Sequence, residues 1–176
     1  MLSFLLLLGI QRMTLIYGLT QKNVITMSQE ICDTLSDLDP SNKEYYKENL
    51  ATFTEQLNNL DNEFKTQLSN VSNKKIVVSH EAYSYLCSAY GLEQTSIDGI
   101  SADSEPSPAK MKEIADYIKA NNVKYIFFEE LVSPKIAQSL ADEQVYSCLA
   151  LNPFEGLEQE DIDNGATIIS VMEENH

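Results

Sequence analysis

The chain contains no tryptophan, two histidines, three cysteines and only twelve Lys and Arg residues among 176. Each scarcity excludes something. With 27 acidic residues the formal charge is -15, and nucleic-acid binding, which needs clustered Lys and Arg against phosphate, is excluded as a reading. Cys32, Cys87 and Cys148 lie far apart without CxxC or CxxH spacing, so neither a disulfide framework nor a thiolate zinc site is indicated, and they read as small buried hydrophobes. No Gly-rich phosphate loop, G-x-S-x-G elbow or H-E-x-x-H pair occurs, since His80-Glu81 lacks a second His. No D-x-D-x-D-G order marks a calcium loop, so Glu158, Glu160, Asp161 and Asp163 read as a solvated helix start. The one long apolar run, Met1 to Ile10, has no basic residue before it and is too short to span a bilayer. No cysteine follows it at lipoprotein spacing, so these residues do not argue for secretion.

What is present is the composition of an ordinary globular domain, 43% hydrophobic and 22% charged, long enough for one sizeable core or one lobe of a larger protein. Ile25, Met27, Ile31 and Leu35 predict a helix over residues 23 to 38 that stops at Asp39-Pro40. Ser41 and Glu44 have capping-box spacing. They precede Tyr46, Leu50, Phe53, Leu57, Leu60, Phe64 and Leu68, a helical repeat of nearly thirty residues. Such a helix is roughly 40 Å long, more than one small sheet needs and suited to a strut between lobes.

Beyond Lys74-Lys75 the pattern changes. Ile76 to Val78, Tyr125 to Phe128 and Val145 to Leu151 read as buried strands, with a weaker one at Thr95 to Ile97. Ser107-Pro108 and Ser133-Pro134 open helices between them, and Met111, Ile114 and Ile118 supply an apolar face. Strands alternating with helices predict an α/β fold: a long connecting helix followed by a four-stranded parallel sheet flanked by helices.

Ligands of open parallel sheets bind beyond the carboxyl ends of the strands. His80 follows the first strand, Asp98 the second, Glu129 and Glu130 the third, and Asn152 with Glu155 the fourth. One imidazole with carboxylates suits zinc or manganese better than calcium. Singly each residue has a plainer reading: His80 as a hydrogen-bonded turn residue, Asp98-Gly99 as a turn pair, Glu129 as a cap or lysine partner. Tyr83, Tyr85 and Tyr90 read as packing residues, and Met111 and Met172 as core. An enzyme using the same rim, a metal-assisted hydrolase with His80 as base and Glu129 or Glu155 as partner, is a second reading. A non-functional fragment or adhesion module is a third.

The run from Lys74 through Ser79-His80-Glu81-Ala82-Tyr83 to Tyr90-Gly91-Leu92 resembles the central motif of the zinc- and manganese-binding solute receptors of ABC transporters. The likeness continues through Ser104-Glu105-Pro106-Ser107-Pro108, Ile126-Phe127-Phe128-Glu129-Glu130, Leu151-Asn152-Pro153-Phe154-Glu155-Gly156-Leu157 and Val171-Met172-Glu173-Glu174-Asn175. Upstream, Asp39-Pro40, Tyr45, Asn49 and Phe53 match the connecting helix, so the resemblance runs from about residue 23 to 176.

The resemblance implies two α/β lobes joined by a rigid helix, an extracytoplasmic location, a membrane permease as partner, and Zn2+ or Mn2+ as the transported ligand. His80 would be the first metal ligand of the C-terminal lobe and Glu155 the second. Asn152 is the alternative at that loop, and Glu129 would orient a ligand from behind. Residues 23–72 would then be the helical linker and 73–176 the metal-binding lobe.

The family's other two histidine ligands come from its N-terminal lobe, and no histidine precedes position 80 here. Weak or absent metal binding by this chain is the expectation. Where the family has Asp-Pro-His-x-Trp, this sequence runs from Arg12 to Asn23. Codons for Met13 to Gly18, read one nucleotide earlier, can encode Asp-Pro-His-Ile-Trp, so residues 1–22 are expected to be a frameshifted remnant, with a divergent natural N-terminus as the plainer alternative. A missing lobe also predicts an exposed apolar strip on the long helix and self-association through it, which light scattering at two concentrations would detect.

Overall fold

In the computed structural model, residues 20–79, 81–97, 107–128, 147–153 and 159–175 are described. They form two compact units.

The first unit is helical. Helix α1 spans Gln21–Leu38 and ends where Asp39 precedes Pro40, and a short 3-10 turn, Pro40–Asn42, leads into α2, Lys43–Ser69. Leu57, Leu60 and Phe64 recur on one face of α2 and are buried, as are Val24 and Cys32 of α1, which packs along it. Two short helices, α5 (Gln159–Asp163) and α6 (Ile168–Glu174), belong to the same unit, and α6, with Val171 and Met172 buried, touches α2.

The capping box expected of Ser41 and Glu44 does not form. The Asp39 carboxylate takes the donors instead: Ser41 Oγ at 2.6 Å, Asn42 Nδ2 at 2.7 Å and Tyr46 Oη at 2.9 Å. A charged acceptor placed just before the proline outcompetes a hydroxyl two residues on. The Ser41 hydroxyl first, then Asn42 and Tyr46, holds this carboxyl down to about 2. Glu44 pairs with Lys47 on the surface. The exposed large apolar residues of this unit also differ from expectation. Ile31, Leu35 and Leu38 lie on α1, whereas α2 contributes Tyr45 alone.

The second unit is a four-stranded parallel sheet of order β2-β1-β3-β4, with β1 Lys75–Val78, β2 Glu93–Ser96, β3 Tyr125–Phe128 and β4 Ser147–Ala150. Helix α3, Ser84–Tyr90, links β1 to β2 and ends on Gly91 in the left-handed conformation, φ 69°, its N–H bonded to the Cys87 carbonyl. Helix α4, Pro108–Asn121, is capped by Ser107, whose Oγ accepts from the Lys110 N–H, with Pro108 in the first turn as its spacing predicts. Ile114 and Ile118 of α4 pack with Val77, Ile97, Val123 and Ile126 into the core under the sheet. Asn73 Nδ2 donates to the carbonyls of Asn121 and Asn122, tying the end of α4 to the start of β1.

The strand expected at Thr95 to Ile97 begins two residues earlier, because its register is set by pairing with β1, Lys75 with Glu93 through Val78 with Ser96, and not by its own polar sequence. The helix expected at Ser133-Pro134 lies outside the described residues. Among the described residues no helix is long and apolar enough to cross a membrane.

Candidate metal site

The strand order reverses direction of growth between β1 and β3: the chain steps from β1 outward to β2, then returns to the other side of β1 for β3 and β4. In doubly wound sheets that reversal opens a crevice beyond the carboxyl ends of the two strands at the switch point. The described backbone at this rim is tightly tied. Ser79 N–H donates to the Phe127 carbonyl at 3.0 Å, Ile97 N–H to Val78 at 2.9 Å, and Leu151 N–H to Phe128 at 2.9 Å.

Of the residues the sequence singled out, His80, Asp98, Glu129, Glu130 and Glu155 lie outside the described residues. Asn152 is described. Its main chain is clasped by Asn175: Asn152 N–H donates to Asn175 Oδ1 at 2.8 Å, and Asn175 Nδ2 donates back to the Asn152 carbonyl at 2.8 Å. Among the described residues no three His, Cys, Asp or Glu side chains gather into a metal-holding group.

The segment following His80 in the chain is fixed from two sides. Ala82 and Tyr83 are buried, and the Tyr83 N–H donates to Gln94 Oε1 at 3.2 Å, while Gln94 Nε2 donates to Ser84 Oγ at 2.7 Å. The Tyr83 hydroxyl crosses the rim to donate to the Leu151 carbonyl at 2.5 Å. Cys87 on α3 is buried, and burial pushes its thiol up to about 11, which keeps it protonated at neutral pH. In sequence Tyr83 reads as a packing residue and Asn175 carries no role; neither contact leaves a local signal.

A parallel sheet whose strand order reverses between β1 and β3 is the architecture of a ligand-binding lobe. The family described as zinc-uptake complex component A, periplasmic, matches residues 19–176, and the chain belongs to it. That family is one of metal-binding transport components and not of enzymes. The zinc-binding lipoprotein AdcA of Streptococcus pneumoniae (strain ATCC BAA-255 / R6) is 40% identical over 157 residues, which are 89% of this chain and 31% of that protein. The high-affinity zinc uptake system protein ZnuA of Bacillus subtilis (strain 168) is 38% identical over 157 residues, 89% of this chain and 48% of that protein. The chain thus spans between about a third and a half of the length of these curated relatives. Among solved structures, the Zn(II)-bound ZnuA-like domain of Streptococcus pneumoniae AdcA superposes with a TM-score of 0.80 at 39% identity, covering 91% of this chain and 60% of that one.

Proposed function

We propose that this chain is the substrate-binding component, or the C-terminal lobe of one, of an ABC transporter for zinc or manganese uptake. The observation that carries the reading is the family match along residues 19–176, whose sheet has its switch point between the strands that precede His80 and Glu129. In this reading the metal is cargo. His80 is the first ligand, through a neutral imidazole nitrogen, and Glu155 the second; Glu129 orients a ligand, and Asn152 is the alternative donor at the Glu155 loop. Residues 23–72 act as the helical linker and 73–176 as the metal-binding lobe. The protein works outside the cytoplasm, hands its ion to a membrane permease and catalyses no reaction. Zinc is favoured by the imidazole, and the relatives named for zinc agree with that choice.

One imidazole and one carboxylate are half of the four donors that a closed zinc site takes. Calorimetric titration of the 176-residue chain with zinc and then manganese, with His80→Ala as control, tests the reading. A weak zinc isotherm, no tighter than about 1 mM or roughly -4 kcal/mol, that disappears in His80→Ala is the expected result. A zinc isotherm indifferent to His80→Ala would overturn the assignment of the first donor.

A further inference from the structure

Four successive main-chain polar groups just after β4 are all engaged, and their partners come from three separate parts of the chain. Leu151 N–H donates to the Phe128 carbonyl, the Leu151 carbonyl accepts from the Tyr83 hydroxyl, and Asn152 N–H and carbonyl are both taken by the Asn175 side chain. The next residue, Pro153, is buried and has its φ fixed by its ring. With Leu151 and Pro153 buried, these groups need partners within the protein. The phenol of Tyr83, a residue 1% exposed, and a carboxamide from the C-terminal segment supply three of the four. Tyr83 stands three residues after His80, and Leu151 and Asn152 stand shortly before Glu155, so the Tyr83 bond ties together the two segments from which the proposed donors arise.

Resting on the reading of His80 and Glu155 as metal donors, we propose that Tyr83 and Asn175 are positioning residues, which fix the separation of the two donor segments before metal arrives. Neither touches the ion. Tyr83 fixes the post-β1 segment against the Leu151 carbonyl, and Asn175 removes the remaining freedom of the Asn152 peptide groups. Pre-ordering of this kind strengthens binding by cutting the loop-ordering cost at the moment of association. The competing explanation is that both residues merely finish the end of β4, in which case their loss lowers stability and leaves the site alone.

The test is zinc titration of the isotopically labelled full chain followed by NMR, reading the His80 imidazole nitrogens and the Glu155 carboxyl carbon, in the wild type, Asn175→Ala and Tyr83→Phe. Metal-free melting is measured on each. In the wild type the two signals saturate together. In Asn175→Ala the zinc Kd rises roughly tenfold, the scale on which groups behind the ligands act, and the Glu155 signal no longer follows that of His80. An unchanged Kd with joint saturation in Asn175→Ala overturns the proposal, whatever happens to the melting temperature. Should Tyr83→Phe fail to fold, Asn175→Ala decides alone, because Asn175 is half-exposed in the C-terminal segment. His80→Ala separates the two ideas. If zinc-induced shifts elsewhere persist in it, the donor reading falls and the positioning proposal with it; if they vanish while Asn175→Ala binds like wild type, only the positioning proposal falls.

Discussion

Ile126 is the most informative single position for the framework that carries the rim. It lies in β3, is 0% exposed, pairs with Val77 of β1 and Cys148 of β4, and packs beneath the sheet with Ile114 and Ile118 of α4. Truncation to alanine removes three carbons, about 2.4 kcal/mol of transfer free energy at roughly 0.8 kcal/mol each. Its neighbours come from two other strands and a helix that is itself capped and tied to Asn73, so they cannot close over the space. The residual cavity therefore brings the expected loss for Ile126→Ala to between about 3 and 4 kcal/mol. For a chain of this size that is a fall in melting temperature on the order of 10 °C. The same chemical change at Ile162, which is 53% exposed on α5, should cost no more than about 0.5 kcal/mol. Urea denaturation of both variants, monitored by circular dichroism, measures the difference. Equal midpoints for Ile126→Ala and Ile162→Ala would refute the placement of the core between α4 and the sheet.

Two further outcomes follow from titratable groups. The folded-state pKa of Asp39, about 2, lies below its ordinary value of 3.8, so its contribution to stability is full above that ordinary value and is lost as pH falls toward 2. Asp39→Asn should then lose less stability than wild type between pH 5 and pH 2, and parallel urea midpoints across that window would contradict the role of Asp39 as the acceptor at the start of α2. Cys87, with its thiol raised to about 11, should resist a thiol-specific reagent at pH 8 until the protein unfolds, and rapid labelling of Cys87 in the native state would contradict its burial.

Much of the architecture was readable from local chemistry. The α2 face of Leu57, Leu60 and Phe64 is a 3.6-residue repeat, β1 and β3 are apolar runs, and Ser107-Pro108 is a cap followed by a first-turn proline, all of which act within a few residues. The start of α2 differs from its sequence pattern because Ser41 and Glu44 have capping-box spacing, yet Asp39 is the stronger acceptor and lies outside that motif. β2, with Glu93, Gln94, Thr95 and Ser96, carries almost no hydrophobic signal and exists because β1 offers it a parallel partner. The strand order, which locates the switch point, is a matter of pairing between distant segments and leaves no local trace. The same holds at the rim. The bond from Tyr83 to Leu151 spans 68 residues and the clasp of Asn175 on Asn152 spans 23, so neither could be read from spacing, although both residue types were visible in the sequence.

The most direct measurement of the central claim is a crystal structure of the chain soaked in zinc at tens of millimolar, with data collected at the zinc absorption edge. Metal held as proposed gives an anomalous peak beyond the carboxyl ends of β1 and β4, at roughly 2.0–2.2 Å from an imidazole nitrogen of His80 and a carboxylate oxygen of Glu155. A peak at His176 or on the acidic surface, with none at His80, would contradict it.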